Sequence, residues 1–182
     1  MPADTIFQAF LARQHSQGMA LAESSDLLDL QSLGAPPAQH YLARFCCRGL
    51  VRKGGAIVEA DSFLIGVTFP EDYLRSRHST AVVTMLDPNT VWHPNIRGPA
   101  VCLGRMPGGT TLVDILYQVF EIITYNKVTM REDDALNKEA CSWTRNNLQR
   151  FPVDTRPLKR RTERPCVDVV DEAGPLQGGV AG

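Results

Sequence analysis

The chain has 182 residues, of which 43% are hydrophobic, and its 19 Lys and Arg nearly balance its 20 Asp and Glu. This length suits one core of about 150 residues with tails, and the balanced charge argues against a protein that coats nucleic acid or an acidic membrane. The sequence contains no apolar run of about 18 residues, and its start lacks the basic and then apolar pattern of a secretory signal. We therefore expect a cytoplasmic protein with neither a membrane nor a nucleic acid as partner.

Two apolar clusters near the N-terminus predict one or two helices. The first cluster consists of Ile6, Phe7, Phe10 and Leu11. The second follows the cap-like Ser24-Ser25-Asp26 and consists of Leu27, Leu28, Leu30 and Leu33. Gly34 and Pro36-Pro37 then predict a helix stop. We expect residues 1–19 to form a loosely attached amphipathic extension, with the folded domain beginning at residue 20.

Between residues 40 and 86 the hydrophobic period changes to two, which is typical of half-buried strands. The pattern predicts four strands, at residues 41–48, 56–60, 63–69 and 81–86. Short links between them, such as Gly54-Gly55, predict an antiparallel meander that needs a helix across one face. Cys46 and Cys47 fall inside the first strand, and we interpret both as packing residues.

Two helices are predicted after residue 110. Thr111 with Asp114 is typical of a helix start, and an apolar stripe follows it. The stripe consists of Leu112, Ile115, Leu116, Val119, Phe120 and Ile123. A second helix is predicted from Asp133-Asp134 to about Arg150. Beyond residue 157 the composition becomes basic, then acidic and then rich in glycine, which predicts a flexible tail over residues 158–182.

The stretch from Trp92 to Gly104 carries the chemistry. Pro94 prevents a helix from continuing, so the chain turns at His93-Pro94-Asn95, seven residues before Cys102. An amide donor beside a thiol suits acyl transfer, because the transition state places negative charge on a carbonyl oxygen. The alternative is a structural loop packed by Trp92 and Ile96, with Cys102 buried and inert.

The cysteines favour reduced thiols. Their positions are Cys46, Cys47, Cys102, Cys141 and Cys166. An odd number with no Cys-x-x-Cys predicts neither a disulfide framework nor a zinc site.

The motif His93-Pro94-Asn95 followed by Cys102-Leu103 resembles the active-site signature of the ubiquitin-conjugating enzymes. The stretch from Phe63 to Tyr73 is similar to the family strand that ends in Phe-Pro-x-x-Tyr. Asp133-Asp134-Ala135-Leu136 is similar to the acidic turn that follows the family's active site. The resemblance covers about residues 27–151, and it places the conjugating domain at residues 20–157.

The resemblance implies an α+β fold with an N-terminal helix, a four-stranded antiparallel meander, an active-site loop and C-terminal helices. Cys102 would accept a ubiquitin-like protein as a thioester from an ATP-dependent activating enzyme and pass it to an amine on a target. Asn95 would stabilise the oxyanion, while His93 and Pro94 would be structural. Asp134 would position or deprotonate the amine, or else only cap a helix. No cofactor or metal is implied, because the ATP is spent upstream.

Several positions differ from the eukaryotic pattern of the family. Gly104 stands where the family often has Asp, Leu74 follows Tyr73, and the loop from Asn95 to Cys102 is one residue shorter than usual. This divergence resembles bacterial relatives, several of which serve in anti-phage defence.

Two alternatives stay open at this point. One is an inactive module of the same fold that binds a ubiquitin-like protein or an assembly partner. The other is a cysteine hydrolase, which would need a histidine base. The available histidines are His15, His40, His78 and His93.

Overall fold

The computed structural model describes residues 4–75 and 82–159. Within these residues one long helix precedes eight strands, and two shorter helices and a 3₁₀ turn follow. The helices are α1 (Thr5–Glu23), α2 (Leu112–Ile123) and α3 (Lys138–Arg145), and the 3₁₀ turn is Leu148–Arg150. The strands are β1 (Leu28–Leu33), β2 (His40–Phe45), β3 (Gly49–Lys53), β4 (Ala56–Ala60), β5 (Phe63–Thr68), β6 (Val83–Asp87), β7 (Ile96–Arg97) and β8 (Ala100–Val101). The predicted α+β class, with an N-terminal helix and an antiparallel sheet, is confirmed.

The main sheet contains six strands in the order β1-β2-β5-β6-β8-β7, and each neighbouring pair is antiparallel. The sequence prediction for this region was partly wrong. Residues 56–60 form a strand, but β4 pairs with β3 in a separate hairpin. The fourth long strand of the meander is instead β1, which pairs with β2 from Leu28↔Phe45 to Leu33↔His40. The predicted second helix at residues 27–33 is therefore a strand, because its backbone groups bond to β2.

Helix α1 is an integral part of the core, so the expectation of a loosely attached extension was wrong. Its buried residues follow a helical stripe: Phe7, Leu11, Gln14, Gly18 and Leu21. The Gln14 side-chain oxygen accepts a hydrogen bond from the Leu112 N–H at 2.8 Å, so α1 satisfies a free donor at the start of α2. A Cβ atom at Gly18 would lie 2.7 Å from Leu112, because the two helices approach closely there. The boundary expected at residue 20 falls inside α1.

Helix α2 forms where it was predicted. Thr111 is its N-cap and accepts a hydrogen bond from the Asp114 N–H at 3.1 Å. The apolar stripe of α2 is buried in the main hydrophobic core together with the alternate residues of β2 and β5. The buried strand residues are Tyr41, Ala43, Phe45, Phe63, Ile65 and Val67. This helix supports the sheet from which the candidate site extends.

Helix α3 begins later than predicted. Asn137 is its N-cap, and the Asn137 side-chain oxygen accepts a hydrogen bond from the Ala140 N–H at 3.0 Å. The Asn137 N–H is donated to the Pro94 carbonyl at 3.0 Å, so the helix start is tied to the His93-Pro94-Asn95 turn. Asp133 and Asp134 therefore lie in the preceding turn rather than in the first turn of a helix.

The last described segment crosses back to the start of the sheet. Asp154 is fully buried, and burial alone would raise the pKa of its carboxyl group. Hydrogen bonds from the Arg156 guanidinium and from the Arg48 and Arg156 backbone N–H groups outweigh this effect. The pKa of Asp154 is therefore held well below its ordinary value. The Ser25 hydroxyl donates to the Leu158 carbonyl, and Leu158 is buried. The tail expected from residue 158 is therefore still packed at that residue, and residues 160–182, with Cys166, lie outside the described part.

Candidate functional site

A short hairpin brings Asn95 and Cys102 together. Strands β7 and β8 pair through Ile96↔Val101 and Arg97↔Ala100, with Gly98 at φ 57° in the turn between them. The residues that flank this hairpin, Asn95 and Cys102, consequently lie opposite one another. The Cys102 N–H is donated to the Asn95 carbonyl at 2.8 Å.

The Asn95 amide is fully hydrogen-bonded, and only 3% of the residue is exposed. Its nitrogen donates to the Cys102 carbonyl at 3.2 Å and to Thr129 Oγ1 at 2.8 Å. Its oxygen accepts from the Thr129 N–H at 3.0 Å. An amide nitrogen has two N–H donors, so an oxyanion could receive one of them only by replacing an existing acceptor. In this conformation Asn95 holds the backbone of Cys102 in place.

His93 is fully buried against the ring of Tyr125, with the ring centroids 4.3 Å apart. Its Nδ1 accepts the Asn95 N–H at 3.0 Å, which places the ring proton on Nε2. Burial lowers the pKa of His93 to about 3, and the Lys127 backbone opposes this shift only partly. His93 is therefore neutral near pH 7, and the ring nitrogen that could act as a base is already occupied.

Cys102 lines a small cavity of about 180 Å³ and is partly exposed. Most of the accessible lining is apolar, and the other lining residues are Val83, Ala100, Val101, Leu103, Gly104 and Leu136. This combination differs from the other described thiols. Cys47 and Cys141 are fully buried, whereas Cys46 is exposed in the connection between β2 and β3, so the expectation that Cys46 is a packing residue was wrong.

Asp134 lies on a loop that passes beside the Cys102 cavity. Leu136, two residues after Asp134, lines the cavity. The loop is attached to the His93-Pro94-Asn95 turn through Thr129 and Asn137. The Asp134 side chain is 64% exposed and lies 3.7 Å from Arg131 Nε. An exposed pair of this kind contributes little to stability, so the carboxylate is free to contact an incoming group.

Two residues of the site were not predicted. Thr129 binds both ends of the Asn95 amide, and the Lys127 ammonium donates to the Leu103 carbonyl at 2.7 Å. Both residues follow α2 and reach the Cys102 loop only through the fold. No local pattern marks them, although Thr129 is a polar residue with an apolar residue on each side, Val128 and Met130.

The described histidines do not provide a base for a cysteine hydrolase. His15 packs 6.3 Å from the ring of Tyr41, and His40 Nδ1 lies 3.1 Å from Thr68 Oγ1. Tyr41 and His40 belong to β2, whereas Cys102 follows β8 towards the other edge of the sheet. His78 lies outside the described residues.

Comparison of this sequence with known protein families and with curated proteins found no match. Residues 4–75 and 82–159 contain no group of three His, Cys, Asp or Glu that could hold a metal ion, and no helix in them is long and apolar enough to cross a membrane. The Cys102 site itself is therefore the basis for the function.

The burial of the thiols predicts which of them react in the folded protein. We expect iodoacetamide to modify Cys46 and Cys102 readily, and Cys47 and Cys141 only after unfolding. Burial raises the pKa of Cys47 to about 12, with the Asp154 carboxylate adding to the effect, and Cys141 Sγ is held 3.4 Å from the Thr129 carbonyl. Mass spectrometry of the alkylated peptides in buffer and in urea checks this order. Rapid modification of Cys141 in buffer would contradict the described packing.

Proposed function

We propose that this chain is a ubiquitin-conjugating-type carrier. Cys102 accepts a ubiquitin-like protein as a thioester from an ATP-dependent activating enzyme and transfers it to an amine on a target. One observation carries the proposal: the partly exposed Cys102 lies at an apolar cavity while Asn95 binds both its N–H and its carbonyl. A nucleophile held this way by a His-Pro-Asn turn fits the family signature that the sequence resembles.

Two acyl transfers, first from thiol to thiol and then from thiol to amine, complete the cycle. In the first, the Cys102 thiolate attacks the thioester carbonyl on the activating enzyme, and that enzyme's thiol leaves with the proton that Cys102 loses. In the second, a neutral amine attacks the new thioester, and Cys102 leaves as a thiol while the amine loses one proton. Neither step needs a histidine base, which is compatible with the buried and neutral His93. The apolar cavity favours a carrier because it limits the access of water to the thioester.

Asn95 and Asp134 act in the second step. Asp134 would position the amine or accept its proton, since an amine is nucleophilic only when neutral, and its exposure beside the cavity loop supports this role. Asn95 would donate to the oxyanion after the bond from its amide to the Cys102 carbonyl opens. Its other contacts support a structural role alongside the catalytic one.

The order of the elements supports a fold like that of the ubiquitin-conjugating enzymes. Helix α1 precedes four long neighbouring strands, β1, β2, β5 and β6, and the His93-Pro94-Asn95 turn follows the last of them. The β3–β4 hairpin is inserted into this meander. Together with the short loop before Cys102, the hairpin favours a divergent carrier that works with its own activating enzyme and modifier.

A charging assay tests the proposal. The purified chain is incubated with ATP and with the activating enzyme and ubiquitin-like protein encoded nearest to it, and the products are separated with and without reductant. We expect a reductant-sensitive adduct in the wild type, none in Cys102→Ala, and a reductant-resistant adduct in Cys102→Lys. Cys46→Ala is the matched control, because this exposed thiol lies outside the site, and it should be charged like the wild type.

The assay also separates the two main functions. If the activating enzyme is itself charged but the chain forms no adduct, the carrier mechanism is contradicted. That outcome would favour the inactive module, which binds a ubiquitin-like protein without receiving it.

A further inference from the structure

Lys127 contacts the loop that carries Cys102 and Leu103. The chain reverses direction after α2. The Asn126 and Lys127 N–H groups are both donated to the Glu121 carbonyl at 2.9 Å, and Tyr125 adopts φ 62°. The Lys127 side chain then reaches the Leu103 carbonyl at 2.7 Å and Gln118 Oε1 at 3.0 Å. The ammonium thus connects α2 to the residue that follows Cys102.

Within residues 4–75 and 82–159, the ammonium of Lys127 has no anionic partner. An ammonium has three N–H donors, and the two described acceptors, a carbonyl and an amide oxygen, are neutral. In the part of the chain that the structure describes, no carboxylate forms an ion pair with Lys127. One of its three donors is left without a described partner.

The charge lies close enough to influence the thiol. Covalent geometry keeps the Cys102 sulfur within about 9 Å of the Leu103 carbonyl oxygen, and hence within about 12 Å of the ammonium. Charges at this separation interact measurably when the ionic strength is low, because the screening length is about 30 Å at 0.01 M salt. On the neighbouring loop, Arg131 pairs with Asp134 and Glu132 pairs with Arg145, and all four side chains are exposed.

We propose that Lys127 is a positioning residue for Cys102, one that holds the Leu103 carbonyl and keeps a positive charge within about 12 Å of the thiol. This role rests on the proposed carrier function, in which negative charge develops on the acyl oxygen at Cys102 during each transfer. A positive charge that attracts an anionic group to the loop favours both transfers. It acts alongside the Asn95 amide, which reaches the oxyanion only when its bond to the Cys102 carbonyl opens.

The test compares two alkylating reagents that react by the same displacement of iodide but differ in charge. Iodoacetate is an anion and iodoacetamide is neutral, so the rate of iodoacetate divided by the rate of iodoacetamide at Cys102 reports the local charge. Changes in thiol ionisation or exposure affect both rates equally and leave this ratio unchanged. We expect Lys127→Met to lower the ratio about two- to threefold at 0.01 M salt, and we expect 0.5 M salt to remove the difference. Peptide mass spectrometry measures Cys102 and, as an internal reference, the exposed Cys46.

Three further variants keep the test decisive. Lys127→Arg retains the charge and should keep the wild-type ratio. Lys127→Gln is neutral but can still donate a hydrogen bond, so its ratio should fall even if its melting temperature is unchanged. Lys53→Met removes one exposed lysine on the β3–β4 hairpin and should have no effect.

The outcome is independent of any partner protein. An unchanged ratio in Lys127→Met and Lys127→Gln, or an equal fall in Lys53→Met, would overturn the role of Lys127. If the charging assay fails but the alkylation ratio falls as expected in Lys127→Met and Lys127→Gln, the carrier function alone is contradicted.

Discussion

Asn95→Ala is expected to lower the free energy of unfolding by about 3 kcal/mol, because it removes three side-chain hydrogen bonds and leaves the Thr129 N–H without its acceptor. The loop of residues 128–137 and the Cys102 hairpin lose one of their main connections at the same time. Urea unfolding followed by tryptophan fluorescence measures the change, since Trp92 is buried beside the turn.

Thr129→Val is the matched control for this prediction. It removes the Oγ1 acceptor but keeps the backbone N–H bond to Asn95, so we expect a cost of about 1 kcal/mol. A cost below about 1 kcal/mol for Asn95→Ala would contradict the structural role of the amide. A second readout is the rate at which the Cys102 thioester transfers the ubiquitin-like protein to an amine. If Asn95 also donates to the oxyanion, Asn95→Ala slows this transfer at least 100-fold more than Thr129→Val does.

The stability of the protein should fall as the pH is lowered through the range in which histidine normally titrates. Burial lowers the pKa of His93 to about 3 in the folded state, whereas the unfolded chain has the ordinary value of about 6.5. Below pH 6.5 the unfolded state binds a proton that the folded state does not, so the contribution of His93 is complete above that pH and is lost as the pH falls towards 3. We expect a loss of about 2.5 kcal/mol between pH 7 and pH 4.5, measured by urea unfolding.

His93→Gln should remove most of this dependence, because the amide does not titrate. His40→Gln, at an exposed histidine on β2, is the control and should retain it. The buried Asp154 affects a lower pH range, because its depressed pKa makes stability fall only as the pH drops below the ordinary aspartate value. An equally steep fall in His93→Gln would show that another group is responsible.

Elements defined by local signals were predicted well. Helix α2 has both a cap, formed by Thr111 and Asp114, and an apolar stripe, and both are short-range features. The spacing of Leu27, Leu28, Leu30 and Leu33 is less informative, because it suits either a helix or a strand when the segment is short. Pairing with β2 decides in favour of the strand, and pairing partners are not visible in the segment itself.

The start of α3 shows the same limit on a smaller scale. Asp133-Asp134 is typical of a helix start, but Asn137 provides the cap, with its N–H fixed by the Pro94 carbonyl 43 residues earlier in the sequence. The actual boundary depends on where the preceding loop attaches to the turn. A local pattern of charges does not contain that information.

The sequence by itself determined the α+β class, the turn at His93-Pro94-Asn95, and the candidate cysteine, because each depends on residues close together in the chain. Only the tertiary structure decided that α1 belongs to the core, that Thr129 occupies the Asn95 amide, and that Lys127 holds the loop after Cys102. These contacts join residues 24 to 98 positions apart. Such hydrogen bonds form only when the packing of the core has brought the segments together, so no short stretch of sequence predicts them.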